Sequence, residues 1–315
     1  MRKLLAAVFA VAIATSLTAC APRTAADMYS GLKAECGTAV AGKNVASVSV
    51  KKAADSKVPE IIFPTGIDSK EIETKVIAAG TGPKITGSQF ISFEFAQASG
   101  ATGELTGSTK FDGTDIQSQY LDPTGSLCKA FGGVTEGSRV ALLIPSELMS
   151  AGEEVASAGV ILFDIKRVYL PHAVGDEQSN QNGLPTVIRA TNGLPTIQFA
   201  SGDAPTELKV APLIKGWGEK LVPDSGQKVM MHYAGWVWNS QTKFESSWDN
   251  KQPVEFDFAT NSLIDGMLQG LKGQTVGSQV LLVIPPALAY KDQVSEAIPA
   301  NSTLIFVVDI LGINK

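Results

Sequence analysis

Residues 254–285 form one run, VEFDFATNSLIDGMLQGLKGQTVGSQVLLVIP, in which two kinds of hydrophobic periodicity follow each other. Val254, Phe256 and Phe258 alternate with acidic residues, which predicts a strand with one buried face. The next hydrophobic residues fall on one side of a helix: Leu263, Ile264, Met267, Leu268 and Leu271. Residues 280–284 are β-rich again. We therefore expect an α+β fold in which an antiparallel sheet wraps around one short helix.

The composition of the chain limits the functions that it can have. The 315 residues carry a formal net charge of −5 and are 44% hydrophobic, which suits about two globular domains. No basic run is longer than Lys51-Lys52, which argues against a nucleic-acid partner because phosphate binding needs a basic patch. The three cysteines and two histidines lack the spacing of metal ligands, so we expect no metal and no cofactor.

The amino terminus has the features of an export signal. Arg2 and Lys3 precede an apolar stretch that is too short to span a bilayer comfortably. The residues 17–20, LTAC, resemble a bacterial lipobox, which implies cleavage before Cys20 and lipidation of that cysteine. An ordinary secretory signal with an accidental cysteine is the alternative. We expect a signal peptide over 1–19, a tether over 20–45, and an extracytoplasmic protein that is lipid-anchored to the bacterial cell membrane.

The other two cysteines are Cys36 and Cys128. Outside the cytoplasm such a pair often forms a disulfide, and closing so long a loop would contribute about 4 kcal/mol in the chain-entropy model. Two buried free thiols are the alternative. The sequence leaves both possibilities open.

The body of the chain is an internal duplication. Three segments recur in the same order: 59–66 matches 195–202, 135–145 matches 275–285, and 160–163 matches 303–306. Two copies of one domain follow from this order, over 46–170 and 184–315. The polar segment 171–183 between them is predicted to be a linker.

Six motifs of the second copy resemble, in order, those of one known family. They are VMMHYAG at 229–235, KFESS at 243–247, PVEF at 253–256, LIDGM at 263–267, IPPALAY at 284–290 and IPANSTLIF at 298–306. The family is that of the FKBP-type peptidyl-prolyl cis-trans isomerases. The resemblance implies two FKBP-like domains, an isomerase activity on proline-containing unfolded or exported polypeptides, and binding of macrolide-type inhibitors.

The same resemblance implies which residues form the prolyl site. The residues expected to act in catalysis are Tyr233, Phe244, Glu245, Ile264, Tyr290 and Phe306. The backbone N–H of Ile264 and the hydroxyl of Tyr290 would donate to substrate carbonyls. The expected substrate-binding residues are Val254, Leu263, Met267 and Ile298. The hydrophobic residues expected in the core instead are Phe256, Phe258 and Leu268.

Three positions depart from the family pattern. Met267 replaces the usual tryptophan, Val254 replaces a phenylalanine, and Glu245 replaces an aspartate. Methionine is more flexible than a rigid indole, and valine is smaller than phenylalanine. We therefore expect a wider pocket, with lower activity or an altered preference for the residue before proline.

The first copy retains little of this site. Phe95 corresponds to Tyr233, Phe111-Asp112 corresponds loosely to Phe244-Glu245, and Ser150 replaces Tyr290. This copy is therefore expected to be inactive. Two functions remain for the whole chain: an isomerase that assists the folding of exported proteins, or a non-catalytic FKBP-like chaperone or envelope-protein binding module.

Overall fold

The computed structural model describes residues 23–52, 57–149, 157–222, 226–258 and 263–314. Cys20 and the predicted signal peptide lie outside these residues. Within the described ranges, no helix has both the length and the apolar character needed to cross a membrane.

Strands and a few short helices make up the described chain. The first half contains β1 (Ser49–Lys51), β2 (Glu60–Ile62), β3 (Glu73–Ala78), β4 (Gln89–Ser99), β5 (Leu105–Ser108), β6 (Gln117–Leu121), β7 (Arg139–Ile144) and β8 (Gly159–Val168). The second half contains β9 (Gly175–Glu177), β10 (Thr186–Arg189), β11 (Pro195–Gln198), β12 (Lys209–Gly216), β13 (Lys228–Val237), β14 (Lys243–Ser246), β15 (Val254–Asp257), β16 (Gln279–Ile284) and β17 (Leu304–Asn314). The α-helices are α1 (Asp27–Ser30), α2 (Ser126–Phe131), α3 (Ser146–Met149) and α4 (Asp265–Leu271). Two 3-10 helices cover Val45–Ser47 and Pro286–Leu288.

Two antiparallel sheets have the same strand order. In the amino-terminal unit (45–168) the order is β3-β7-β8-β4-β5, and β6 also pairs with β4. In the carboxy-terminal unit (171–314) the order is β12-β16-β17-β13-β14, and β15 also pairs with β13. The second sheet has β9 as an additional edge strand on β12. The short helices α2 and α4 occupy equivalent places in the two chain orders, before β7 and β16.

Each main sheet is covered on both faces. In the carboxy-terminal unit, Met267 and Leu271 of α4 join the hydrophobic cluster on the inner face of the sheet. The outer face is covered by the separate β10–β11 hairpin, whose Val187 and Ile197 pack against the outer cluster. Strands β16 and β17 are almost entirely buried, as expected for strands with both faces covered. The β1–β2 hairpin contributes Val50 and Ile61 to the corresponding cluster of the amino-terminal unit.

The strand register shows that one of the three sequence matches is misaligned by two residues. Arg139 pairs with Asp164 across β7 and β8, just as Gln279 pairs with Asp309 across β16 and β17. Residues 160–163 therefore correspond to 305–308, two positions from the match made on sequence. Because side chains alternate between faces, a two-residue shift keeps the face of each residue, so alternation alone could not detect the error. Ile161, and not Phe163, occupies the place of Phe306.

Residues 23–45 do not extend away from the molecule as a tether. Met28 of α1 is buried in the inner cluster of the carboxy-terminal unit, and Tyr29 packs against the clusters of both units. The Tyr29 hydroxyl donates to the Val168 carbonyl at 2.9 Å. Cys36 forms a disulfide with Cys128 of α2. We call residues 23–36 the strap, because they contact both units. The sequence did not predict these contacts, because the segment has few apolar residues among many small and polar ones.

The predicted linker is also structured in part. Residues 175–177 form β9, which pairs with β12 through contacts such as Lys215 opposite Asp176. The backbone N–H of Ala173 donates to Asp309 Oδ2 at 2.8 Å. The polar composition of the segment predicted a loop, but backbone pairing at a sheet edge does not require apolar side chains.

Candidate functional site

The inner face of β13 carries the first residue of the predicted site. Side chains alternate along a strand, so Tyr233 faces the inner cluster and its neighbour His232 faces the outer side. Phe306 lies beside it on β17, where Gly235 is its backbone partner. Strand β14 brings Phe244 and Glu245 to the same region, since Glu245 pairs with Gly235.

Three aromatic rings of the predicted site lie together. The ring centroids of Phe244 and Phe306 are 5.6 Å apart in an edge-to-face arrangement, and those of Tyr233 and Phe306 are 6.4 Å apart. A Cβ added at Gly235 would lie 2.5 Å from Phe244 Cζ, so this position must be glycine for the ring to lie flat on the strand. In this apolar cluster the Tyr233 and Phe306 side chains are buried and the Phe244 side chain is half-buried.

Helix α4 and the segment before β17 complete the apolar cluster. Leu263 and Met267 are buried, and Ile264 and Ile298 are partly buried against the same cluster. Ile264 directly precedes α4 and has an extended backbone, with φ −65° and ψ 150°. Its N–H therefore does not take part in the helical hydrogen bonding.

The polar groups of the predicted site are two tyrosine hydroxyls and one carboxylate. The Tyr233 hydroxyl donates to Glu245 Oε1 at 2.6 Å. Burial raises the pKa of Tyr233 above its usual value, and the hydrogen bond to Glu245 and its negative charge raise it further. Burial, followed by the charge of Glu245, also raises the pKa of Tyr290. Both hydroxyls therefore remain protonated donors near neutral pH, and Tyr290 is 39% exposed and accessible to a ligand.

Strand β15 carries Val254 and Phe256 on one face, and their surroundings differ. Val254, expected to form the wall, is 37% exposed and is not among the residues packed on the inner cluster. Phe256, expected to be core, does pack against the inner cluster, and it also lies edge-to-face with Tyr233 at a centroid distance of 5.8 Å. The alternation that places both residues on one strand face was visible in the sequence, but it could not show which of them reaches the rings.

Comparison with known proteins identifies the region that carries these rings. A family model described as FKBP-type peptidyl-prolyl cis-trans isomerase matches residues 218–311. An FK506-binding protein of Streptomyces anulatus is 33% identical over 117 residues, which are 36% of this chain and 93% of that protein. The chain belongs to the FKBP-type peptidyl-prolyl cis-trans isomerase family.

Two further relatives match the chain over a similar length. The FK506-binding protein 2 of Dictyostelium discoideum is 44% identical over 105 residues, covering 31% of this chain and 78% of the relative. A probable FK506-binding protein of Corynebacterium glutamicum is 35% identical over 111 residues, covering 35% of this chain and 91% of the relative. The FKBP is an enzyme, a peptidyl-prolyl cis-trans isomerase, and the matched region lies in the carboxy-terminal unit.

The amino-terminal unit of the FKBP lacks the cluster of aromatic rings and polar groups found in the carboxy-terminal unit. The N–H of Phe95 donates to Thr109 Oγ1 at 3.0 Å, and that of Tyr233 donates to Ser247 Oγ at 2.9 Å. This equivalence places Thr106 and Gly107 where the carboxy-terminal unit has Phe244 and Glu245. The sequence match of Phe111-Asp112 to that pair is therefore wrong, and Phe111 packs against the outer-face cluster. Position 150 lies outside the described residues.

The described part of the FKBP shows no obvious metal centre. No group of three or more His, Cys, Asp or Glu side chains in those ranges is arranged to hold a metal ion.

Proposed function

We propose that the carboxy-terminal unit isomerises X-Pro bonds of unfolded polypeptides at the ring cluster of Tyr233, Phe244 and Phe306. The observation that carries the proposal is the combination of these contacting rings with the Tyr233–Glu245 hydrogen bond and the exposed Tyr290. Such a site offers an apolar surface with a few polar groups at its edge, as a prolyl ligand requires.

The proposed mechanism requires no nucleophile. Rotation about a peptide bond crosses a barrier of about 18–20 kcal/mol, which amide resonance sets. Resonance places negative charge on the carbonyl oxygen, and water stabilises this planar, polar form. An apolar surface removes that water and holds the proline ring, so the less polar, twisted amide is favoured relative to the planar one.

The residues have three roles in this mechanism. Phe244, Phe306 and Met267 hold the pyrrolidine ring. The Ile264 N–H and the Tyr290 hydroxyl donate to carbonyl oxygens on either side of the rotating bond. Glu245 fixes the Tyr233 ring through its hydroxyl.

We further propose that the protein acts outside the cytoplasm, lipidated at Cys20 and held at the cell membrane. The LTAC sequence at 17–20 and the disulfide between Cys36 and Cys128 support this location, since disulfides persist in oxidising compartments. Its substrates would be exported chains, because uncatalysed prolyl isomerisation is slow enough to limit their folding. A macrolide of the FK506 class would compete for the same apolar surface.

For the amino-terminal unit, we propose a tandem FKBP-like domain with a non-catalytic role. Thr106, Gly107 and Ile161 stand at the positions of Phe244, Glu245 and Phe306, so this unit has neither the second ring nor the acid. This replacement favours a spacer or chaperone-like binding role for that half of the chain.

The test is a prolyl-peptide isomerisation assay on the chain from residue 21. The wild type should accelerate exchange, and Phe244→Ala should lower kcat/KM about 10- to 100-fold, since a buried phenylalanine contributes about 1.5–3 kcal/mol. Phe111→Ala in the other unit is the matched control and should leave activity unchanged. Exchange at the thermal rate with a folded wild-type protein would contradict the proposal.

A further inference from the structure

The outer face of β13, opposite the ring cluster, also carries a set of specific side-chain contacts. His232 lies on the outer face and is buried, next to the inward-facing Tyr233. Trp248, two residues beyond β14, stacks on His232 with centroids 4.0 Å apart and an interplanar angle of 18°. Trp248 therefore contacts the sheet on the side away from the rings that would bind the substrate.

Ser247 connects the back of the sheet to the front. Its Oγ lies 2.8 Å from His232 Nδ1 and accepts a hydrogen bond from the Tyr233 N–H at 2.9 Å. The Ser247 N–H donates to the Tyr233 carbonyl at 3.0 Å. These bonds set the position of the end of β14 on β13, and β14 carries Phe244 and Glu245.

The turn of the β10–β11 hairpin lies close to His172 and to the edge of the Trp248 indole. A Cβ added at Gly193, in the turn of the hairpin, would lie 3.1 Å from Trp248 Cη2 and 2.4 Å from His172 Cβ. The turn backbone therefore lies directly against the indole edge. The hairpin precedes the region that the family model matches, which begins at residue 218.

We propose that the β10–β11 hairpin is a positioning element of the prolyl site and that Trp248 is the residue through which it acts. The inference rests on the proposed roles of Tyr233, Phe244 and Glu245. The turn at Gly193 lies beside Trp248, Trp248 covers His232, and Ser247 joins His232 to the Tyr233 backbone. The hairpin thereby keeps the ring cluster in one geometry without touching the substrate.

The protonation of His232 provides a readout for the contact between the hairpin, Trp248 and the Tyr233 strand. Burial, and then the nearby His172, lower the pKa of His232 to about 3. The titratable groups around the ring are His172 and Asp309, the cross-strand partner of His232. A neutral His232 keeps its bond with Ser247 throughout the physiological range. Without the indole, water reaches the ring and its pKa returns toward the ordinary value of about 6.5.

The experiment compares Trp248→Ala, Trp248→Phe and Trp238→Ala in the full chain from residue 21. Trp238 is a buried indole of the same outer cluster that has no ring contact with His232, so it controls for lost packing. Phenylalanine should restore function because the Trp248 Nε1 has no hydrogen-bond partner among the described residues. The readouts are kcat, KM, the pH profile from 5 to 8, and the NMR titration of His232, with His172→Gln for assignment.

We expect Trp248→Ala to lower kcat about tenfold with KM little changed. A small displacement of Phe244 and Glu245 would slow the isomerisation step more than it would weaken substrate binding. Trp248→Ala should also raise the pKa of His232 and create a fall in activity below pH 7. Trp248→Phe and Trp238→Ala should keep the wild-type profile. Gly193→Ala displaces the hairpin turn, because the glycine has a φ of +90° and an added Cβ would meet both His172 and Trp248. It should move the same readouts in the same direction, and it replaces Trp248→Ala if that variant unfolds.

Three results would overturn the inference: wild-type kcat and a wild-type His232 titration in folded Trp248→Ala, an equal loss of kcat in Trp238→Ala, or no effect of Gly193→Ala on any readout. An inactive wild type would overturn the proposed function instead. In that case the His232 titration still decides whether the hairpin and Trp248 control the environment behind Tyr233.

Discussion

Adjacent residues of β13 lie in different environments: Tyr233 faces the inner cluster, and His232 is buried opposite Asp309 of β17. The alternation of Met231, His232 and Tyr233 predicts which residue faces inward. It does not reveal that Asp309 lies opposite His232 and is fully buried, since that pairing depends on the register with β17. Burial raises the pKa of Asp309 to about 6, although hydrogen bonds from Ala173 and Gln279 act in the opposite direction.

A pH-dependent stability follows from Asp309. Because its pKa is raised in the folded state, the carboxyl contributes stability below about pH 4, and this contribution is lost as the pH rises through about 6. Asp309→Asn should therefore gain up to about 3 kcal/mol relative to the wild type between pH 4 and pH 7. Urea unfolding at both pH values measures the difference. A difference between the two proteins that does not change with pH would refute the shift.

At the scale of elements, the sequence predicted β15 and α4 because each has one clear hydrophobic period, and β16 because residues 280–284 form a β-rich apolar run. It failed in the first copy at the short strand β5. Gln97 pairs with Gly107 and Ala98 with Leu105, so Thr106 is an unpaired bulge residue, and a bulge leaves no mark in composition. The equivalence of Thr106-Gly107 to Phe244-Glu245 therefore became visible only through backbone hydrogen bonds.

The close approach of β13 and the Phe244 ring gives a prediction at this scale. Gly235→Ala would place a Cβ 2.5 Å from Phe244 Cζ, so the ring must move off the strand. We expect a loss of about 1–3 kcal/mol in stability and a fall of at least about tenfold in kcat/KM. Gly107→Ala is the control, since a Cβ there meets nothing within 4 Å. Full activity of a folded Gly235→Ala enzyme would show that the ring position does not matter.

Across the whole molecule, the three sequence matches predicted two related halves, and the strand orders of the two sheets are the same. The strap was missed, because its contacts are made by single residues far apart in sequence. Arg23 pairs with Asp176 at 2.7 Å and lies 4.6 Å above the ring of Trp217, whereas Cys36 is bonded to α2 of the other unit. The strap thus holds both units at once.

Breaking the strap's disulfide should affect stability more than catalysis. Cys36 and Cys128 are separated by 92 residues, and closing a loop of that length is worth about 4–5 kcal/mol in the chain-entropy model. The double variant Cys36→Ser/Cys128→Ser should unfold at lower denaturant concentration, with peptide isomerisation at native conditions retained. Equal unfolding midpoints for the wild type and the variant would contradict the stabilising role.

The most direct test of the prolyl site is an NMR titration of the isotope-labelled chain from residue 21 with a short X-Pro peptide. In the same samples, exchange spectroscopy measures the cis–trans rate of the peptide. We predict that the backbone signals of Tyr233, Ile264, Tyr290 and Phe306 shift together as the peptide exchange accelerates. Shifts confined to the amino-terminal unit, around Phe95 and Ile161, or accelerated exchange with unmoved signals at the ring cluster, would contradict the account.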